Sequence, residues 1–189
     1  MSNKEINLEI SHVPQGRLGL WILIAGELMI FGGLIACYLL YRIRFPEWAN
    51  DAAHTSTLIG AINTIVLLSS SFTVVKAHEA AQKRDYKNIT KYMTITIFCG
   101  LLFLVFKSIE YITEIHEGHT LVSSEFFSFY FLMTGLHGLH VVAGMVTMLV
   151  VMLGARKGEN LHRVELAGMY WHMVDLIWIF LFPLLYIAK

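Results

Sequence analysis

Two histidines in the middle of an uncharged apolar run are the first residues here that could do chemistry. Residues 134–145 read Thr-Gly-Leu-His-Gly-Leu-His-Val-Val-Ala-Gly-Met, which places His137 and His140 inside a run, 126–153, that lacks Asp, Glu, Lys and Arg. At ~1.5 Å of rise per residue that run is longer than the ~30 Å hydrocarbon core of a bilayer, so both imidazoles belong near its centre. Polar groups are expensive at that depth and normally face other helices. Glu27, about 14 Å from the inner end of its own run, and Asp175, about 15 Å from the inner end of another, lie at levels comparable to His140 at about 20 Å. A buried polar layer joining these groups is therefore expected. His172 precedes Asp175 by three positions, and a carboxylate beside an imidazole would favour the charged form of each. Glu27 reads either as a carboxyl held neutral between helices or as a protonatable site on a proton route, and both readings put a proton on it for part of the time. Lys107, Glu110 and Glu114, spaced i, i+3 and i+7, are expected to form an internal ion pair rather than an ion path.

Several chemistries fit less well. His137, His140 and His172 together could ligate a metal, but the long-range paired histidines, cysteines or repeated histidine boxes of a diiron, copper or two-haem site are missing. Two histidines three residues apart also cannot take opposite faces of one haem. Cys37 and Cys99 fall within apolar segments and read as small packing residues, with no disulfide framework implied. A stand-alone carrier would show internal repeats or interrupted spans, and neither is present. What remains is a subunit whose polar layer serves structure, lipid contact or proton supply in a larger complex.

The elements that must position these groups follow from hydropathy. With 56% apolar residues and a mean hydropathy of +0.60, the chain is a membrane protein. Its zero formal charge removes any electrostatic case for nucleic acid. Five runs, 18–41, 58–77, 92–112, 126–153 and 165–187, are long enough to span, and the predicted architecture is a single all-α integral membrane bundle of five transmembrane helices over 18–189. Residues 1–17 are polar, lack a cleavage site of the signal-peptide kind, and read as a cytoplasmic N-terminal segment. Lys4, Arg17, Lys76, Lys83, Arg84, Lys87, Lys91, Arg156, Lys157 and Arg163 fall on one side of the bundle, against Arg42, Arg44 and Lys189 on the other. The excess puts the N-terminus inside and the C-terminus outside. Gly19, Gly26 and Gly33, with Cys37 a turn further, form a smooth stripe for close helix packing.

Two stretches carry a family resemblance. The run Phe126-Phe-Ser-Phe-Tyr-Phe-Leu-Met-Thr-Gly-Leu-His-Gly-Leu-His-Val, followed by Glu165-Leu-Ala-Gly-Met-Tyr-Trp-His-Met-Val-Asp-Leu-Ile-Trp-Ile-Phe-Leu-Phe-Pro, resembles subunit III of the haem-copper oxidases, the cytochrome c oxidase family. Trp21-Ile-Leu-Ile-Ala-Gly-Glu, Asn63-Thr-Ile-Val-Leu-Leu-Ser-Ser and Lys107-Ser-Ile-Glu-Tyr are similar to its earlier helices. The resemblance implies the short five-helix bacterial form, corresponding to the last five helices of the seven-helix form. It implies a non-catalytic accessory subunit in the bacterial cytoplasmic (inner) membrane, stabilising subunit I and supporting proton uptake while oxygen is reduced to water. Haem and copper would belong to partner subunits, with none bound by this chain, and a bound phospholipid is expected. Subunit I would be the direct partner, with subunit II and a small subunit IV in the same complex. Glu27, Glu110, His137, His140, His172 and Asp175 are carried over as buried polar or proton-related positions, none of them catalytic. The same resemblance extends to quinol oxidases and to an accessory subunit of nitric oxide reductases, so the electron donor stays open. The alternative of a different class is a membrane metal enzyme built on His137, His140 and His172.

Overall fold

Apolar runs of this length can satisfy their backbone groups in a bilayer as helices, and the computed structural model forms them. It describes residues 15–45, 48–53, 55–158 and 160–188, so most of the expected segment 1–17, and Lys4 and Lys189, lie outside the described residues. The elements are α1 (Gln15–Arg44), a short α2 (Trp48–Ala53), α3 (Thr57–Gln82), α4 (Tyr86–His116), α5 (Glu125–Arg156) and α6 (His162–Phe182), the last continued by a π turn over Pro183–Ile187. Five of them are long and apolar enough to cross a membrane. No strand occurs among the described residues.

The long helices overrun the apolar runs that mark them, because their polar flanks carry capping groups. Ser56 begins α3 by accepting from Ile59 N, and Ser124 begins α5 by accepting from Phe127 N at 3.4 Å. At the charged turn between α3 and α4, Arg84 adopts a left-handed φ of 55°, and the Asp85 carboxylate accepts from Asn88 N at 3.2 Å. That backbone N–H holds the Asp85 carboxyl below its usual range.

Helices α3, α4, α5 and α6 pack around one another, and α6 is the most enclosed of them. Trp171 of α6 fixes this packing. A Cβ added at Gly100 of α4 would come within 2.9 Å of its Cη2, and one at Gly144 of α5 within 2.8 Å of its Cε3. Its Nε1 donates to Ser70 Oγ of α3 at 2.9 Å, so one indole touches three neighbouring helices. Helix α1 is different. It lies along α5 and α6 with most of its surface exposed, and Arg17 meets Glu165 at 2.6 Å at one end.

The end of the chain is locked by side chains. Pro183 has no N–H to continue the α-helical ladder, and the Ala188 N–H instead reaches the Pro183 carbonyl at 2.8 Å. The carbonyls that follow would be buried without partners. Three hydroxyls take them: Tyr38 donates to Leu184 O at 2.8 Å, Thr55 to Leu185 O at 3.3 Å and Thr57 to Tyr186 O at 3.0 Å. Thus α1, the residues before α3 and the π turn are tied together, and Tyr186 is carried into the bundle.

Candidate functional site

The polar residues form separate sites rather than one layer. Glu27 of α1 and His140 of α5 meet, with His140 Nε2 3.0 Å from Glu27 Oε2. The other ring nitrogen, Nδ1, lies 2.8 Å from the Leu136 carbonyl. A carbonyl only accepts, so Nδ1 carries a hydrogen. Nε2 and Oε2 then form a close imidazole–carboxyl contact between α1 and α5. Phe31 covers the ring edge-on, with centroids 5.5 Å apart.

His172 and Asp175 do not make the pair expected from their spacing. His172 Nδ1 is 2.7 Å from Ser71 Oγ of α3. Asp175 is 4% exposed, with the Ser71 hydroxyl as a polar neighbour and no well-aligned hydrogen bond to either oxygen among the described residues. The physical reason is the interface with α3, where the Ser71 hydroxyl meets His172 and also lies beside the Asp175 carboxyl. Asp175 is not joined to the Glu27–His140 pair.

His137 is fully buried, and neither ring nitrogen is hydrogen-bonded among the described residues. Its ring packs between Phe103 and Trp178, at centroid distances of 5.5 and 5.1 Å. His137, His140 and His172 therefore each face different partners, and the geometry does not assemble them as a metal-ligand set.

Lys107 and Glu110 form the internal pair, Nζ to Oε2 at 3.0 Å, with side chains only 5% and 2% exposed. Lys107 Nζ also donates to Tyr130 OH at 2.9 Å and to Tyr186 OH. Tyr186 OH donates to Glu110 Oε2 at 3.0 Å. The ammonium stands 4.3 Å from the Tyr130 ring centroid and 5.1 Å from those of Tyr111 and Tyr186. Three hydrogen bonds and several aromatic faces replace the water that the ammonium gives up. Sequence reasoning did not pair Tyr130 and Tyr186 with Lys107, nor Trp171 with Ser70. Tyr130 and Tyr186 are dispersed among other aromatics, and nothing short of the π turn places Tyr186 beside Lys107.

The glycine stripe of α1 is not covered by any neighbouring helix of the chain. A Cβ built at Gly19, Gly26 or Gly33 would meet no atom within 4 Å. Beside it, α1, α5 and α6 enclose a largely apolar groove of about 520 Å³, lined by Gly19, Leu23, Val151 and Leu166, with Arg163 also at its wall.

Comparison with known proteins gives one answer throughout. The family model described as cytochrome c oxidase subunit III matches residues 10–189. A cytochrome c oxidase subunit 3 from Thermostichus vulcanus is 37% identical over 90% of this chain and 86% of its own length. Another from Synechocystis sp. is 35% identical over 93% and 77%, and one from Corynebacterium diphtheriae is 35% identical over 91% and 87%.

Proposed function

The chain belongs to the cytochrome c oxidase subunit III family, and from that premise we propose that it is the accessory subunit III of an aerobic terminal oxidase in a bacterial cytoplasmic membrane. In this reading it has no redox centre of its own. It packs against a subunit I that holds haem and copper, beside subunit II and a small subunit IV, stabilises that subunit and supports proton uptake during oxygen reduction to water.

The Glu27–His140 pair carries the proton part of the proposal. It sets a carboxyl against an imidazole at 3.0 Å between α1 and α5, where Glu27 is partly exposed. Asn63 and His137, buried polar groups without hydrogen-bond partners among the described residues, fit a bundle that tolerates polar cost for a purpose other than stability. The stabilising part rests on α1. Its exposed apolar face and open glycines let another helix backbone approach closely, and subunit I is the partner assigned to that face. The groove beside it suits a phospholipid acyl chain, with Arg163 near an anionic headgroup.

Orientation follows the charge. The helix ends bearing Arg17, Lys76, Lys83, Arg156 and Arg163 face the cytoplasm, and those bearing Arg42 and Arg44 face outward. The C-terminus is then outside and 18–189 forms a single membrane domain.

The variant Glu27→Ala tests the proton role. Assembly is expected to stay largely intact, because Glu27 lies at the edge of the bundle, while turnover falls or the working life of the enzyme shortens. Glu27→Gln should behave alike, since an amide keeps the hydrogen bond and loses the exchangeable acid. Wild-type turnover and lifetime in both variants would refute the proton role.

A further inference from the structure

We infer that Glu114, Glu117 and His119, at the α4–α5 connection, form a binding site for a divalent transition cation of the zinc type. The three side chains each offer one ligand atom, and these atoms all lie within 4.8 Å of one another. His119 Nδ1 is 3.0 Å from Glu114 Oε2 and 4.0 Å from Glu117 Oε2. Atoms sharing a tetrahedral zinc at 2.0–2.2 Å stand roughly 3.4 Å apart, so small side-chain rotations close the site.

The backbone builds this arrangement. Gly118 has a φ of +89°, a conformation other residues rarely take, and it reverses the chain at the end of α4. The His119 N–H then reaches back to the Glu114 carbonyl at 2.9 Å, which brings the imidazole over the Glu114 side chain. Phe127 of α5 holds the ring in place, stacked at 4.3 Å between centroids and 12° between planes. Glu114 is buried at the base of the site, His119 forms one wall, and Glu117, with its side chain 54% exposed, stands at the mouth. An ion can enter from water.

Charge supplies an independent argument. Two carboxylates sit at the C-terminal end of α4, where the helix carbonyls already present partial negative charge. The sequence has no Lys or Arg between Lys107 and Arg156, and Lys107, whose charge also reaches Glu114, is bonded to Glu110. A divalent ion would match the charge of the two carboxylates. Imidazole with two carboxylates favours zinc-type ions over magnesium or calcium, which prefer all-oxygen sites. Three protein ligands leave a coordination position for water.

The assignment is tested with the full-length chain, purified in detergent through a tag free of histidine, stripped with chelator and titrated with Co²⁺ as an optical probe and then with Zn²⁺. The expected result is a saturable visible Co²⁺ band corresponding to one ion per chain, abolished by competing Zn²⁺. His119→Ala removes the band. Glu117→Gln, at an exposed position that does not support the fold, weakens Co²⁺ binding at least about tenfold. Glu125→Gln, on the same surface, leaves it unchanged. No saturable band in the wild-type chain, or the same titration curve in His119→Ala and Glu117→Gln as in wild type, overturns the assignment.

Discussion

A chain carrying Lys107→Met is expected to accumulate poorly in the membrane and to lose most of its thermal stability in detergent. The substitution preserves length and apolar stem but removes the ammonium, leaving Glu110 at 2% exposure without its cation. Breaking one side of a buried pair costs about 3–5 kcal/mol, because the surviving charge stays desolvated. Tyr186 OH still donates to Glu110 Oε2, but Glu110 Oε1 has no hydrogen-bond partner among the described residues, so little is available to compensate. The double variant Lys107→Met with Glu110→Gln removes both charges and is expected to recover much of the loss. Immunoblots of membranes and melting curves of the purified chain measure both effects. Wild-type stability in the single variant, or a double variant worse than the single, would count against the pair as the anchor of this end of the bundle.

Trp171→Ala is the second large effect. The indole is fully buried between Gly100 and Gly144 and donates to Ser70. Truncation leaves a cavity lined by three helices and a hydroxyl without its donor, a loss of about 3–5 kcal/mol. Gly144→Ala should cost about 1–3 kcal/mol in the wild-type chain, because the new Cβ would stand 2.8 Å from Trp171 Cε3. Combined with Trp171→Ala, the same methyl keeps only Tyr170 Cε1, at 3.4 Å, as a neighbour, so most of its cost should vanish. Simple additivity of the two losses would show that Trp171 and Gly144 do not bear on each other. Melting temperatures of the four chains give the answer.

These two sites show what the sequence could and could not reveal. The helices were legible because an apolar run longer than the bilayer core has few alternatives. Lys107 and Glu110 were legible as a pair because i, i+3 spacing is local. Their tyrosine partners were not, since Tyr130 and Tyr186 come from α5 and the π turn, and no local period announces a contact between distant segments. The same limit explains His172. Its i, i+3 neighbour Asp175 was visible in the sequence, whereas Ser71, the partner it takes, is on α3. Glu27 and His140 could be matched by depth alone, and they do meet. Depth gave no azimuth, so it also placed Asp175 with them, where the structure does not. The stripe Gly19, Gly26 and Gly33 was expected to take a close-packed helix, and no helix of this chain covers it. Family likeness identified the subunit more directly than any single contact, because the Thr-Gly-Leu-His-Gly-Leu-His and Tyr-Trp-His-Met-Val-Asp runs combine motif and order across two helices.

The central claim is that this chain works as part of an oxidase rather than alone, and purification in mild detergent through a C-terminal tag tests it most directly. Co-purifying chains would be identified, an optical haem spectrum recorded and oxygen consumption measured on the same sample. The expected result is a haem-bearing subunit I together with subunit II, with oxygen consumption by the isolated complex. A lone polypeptide carrying its own stoichiometric haem or redox-active metal would contradict the account.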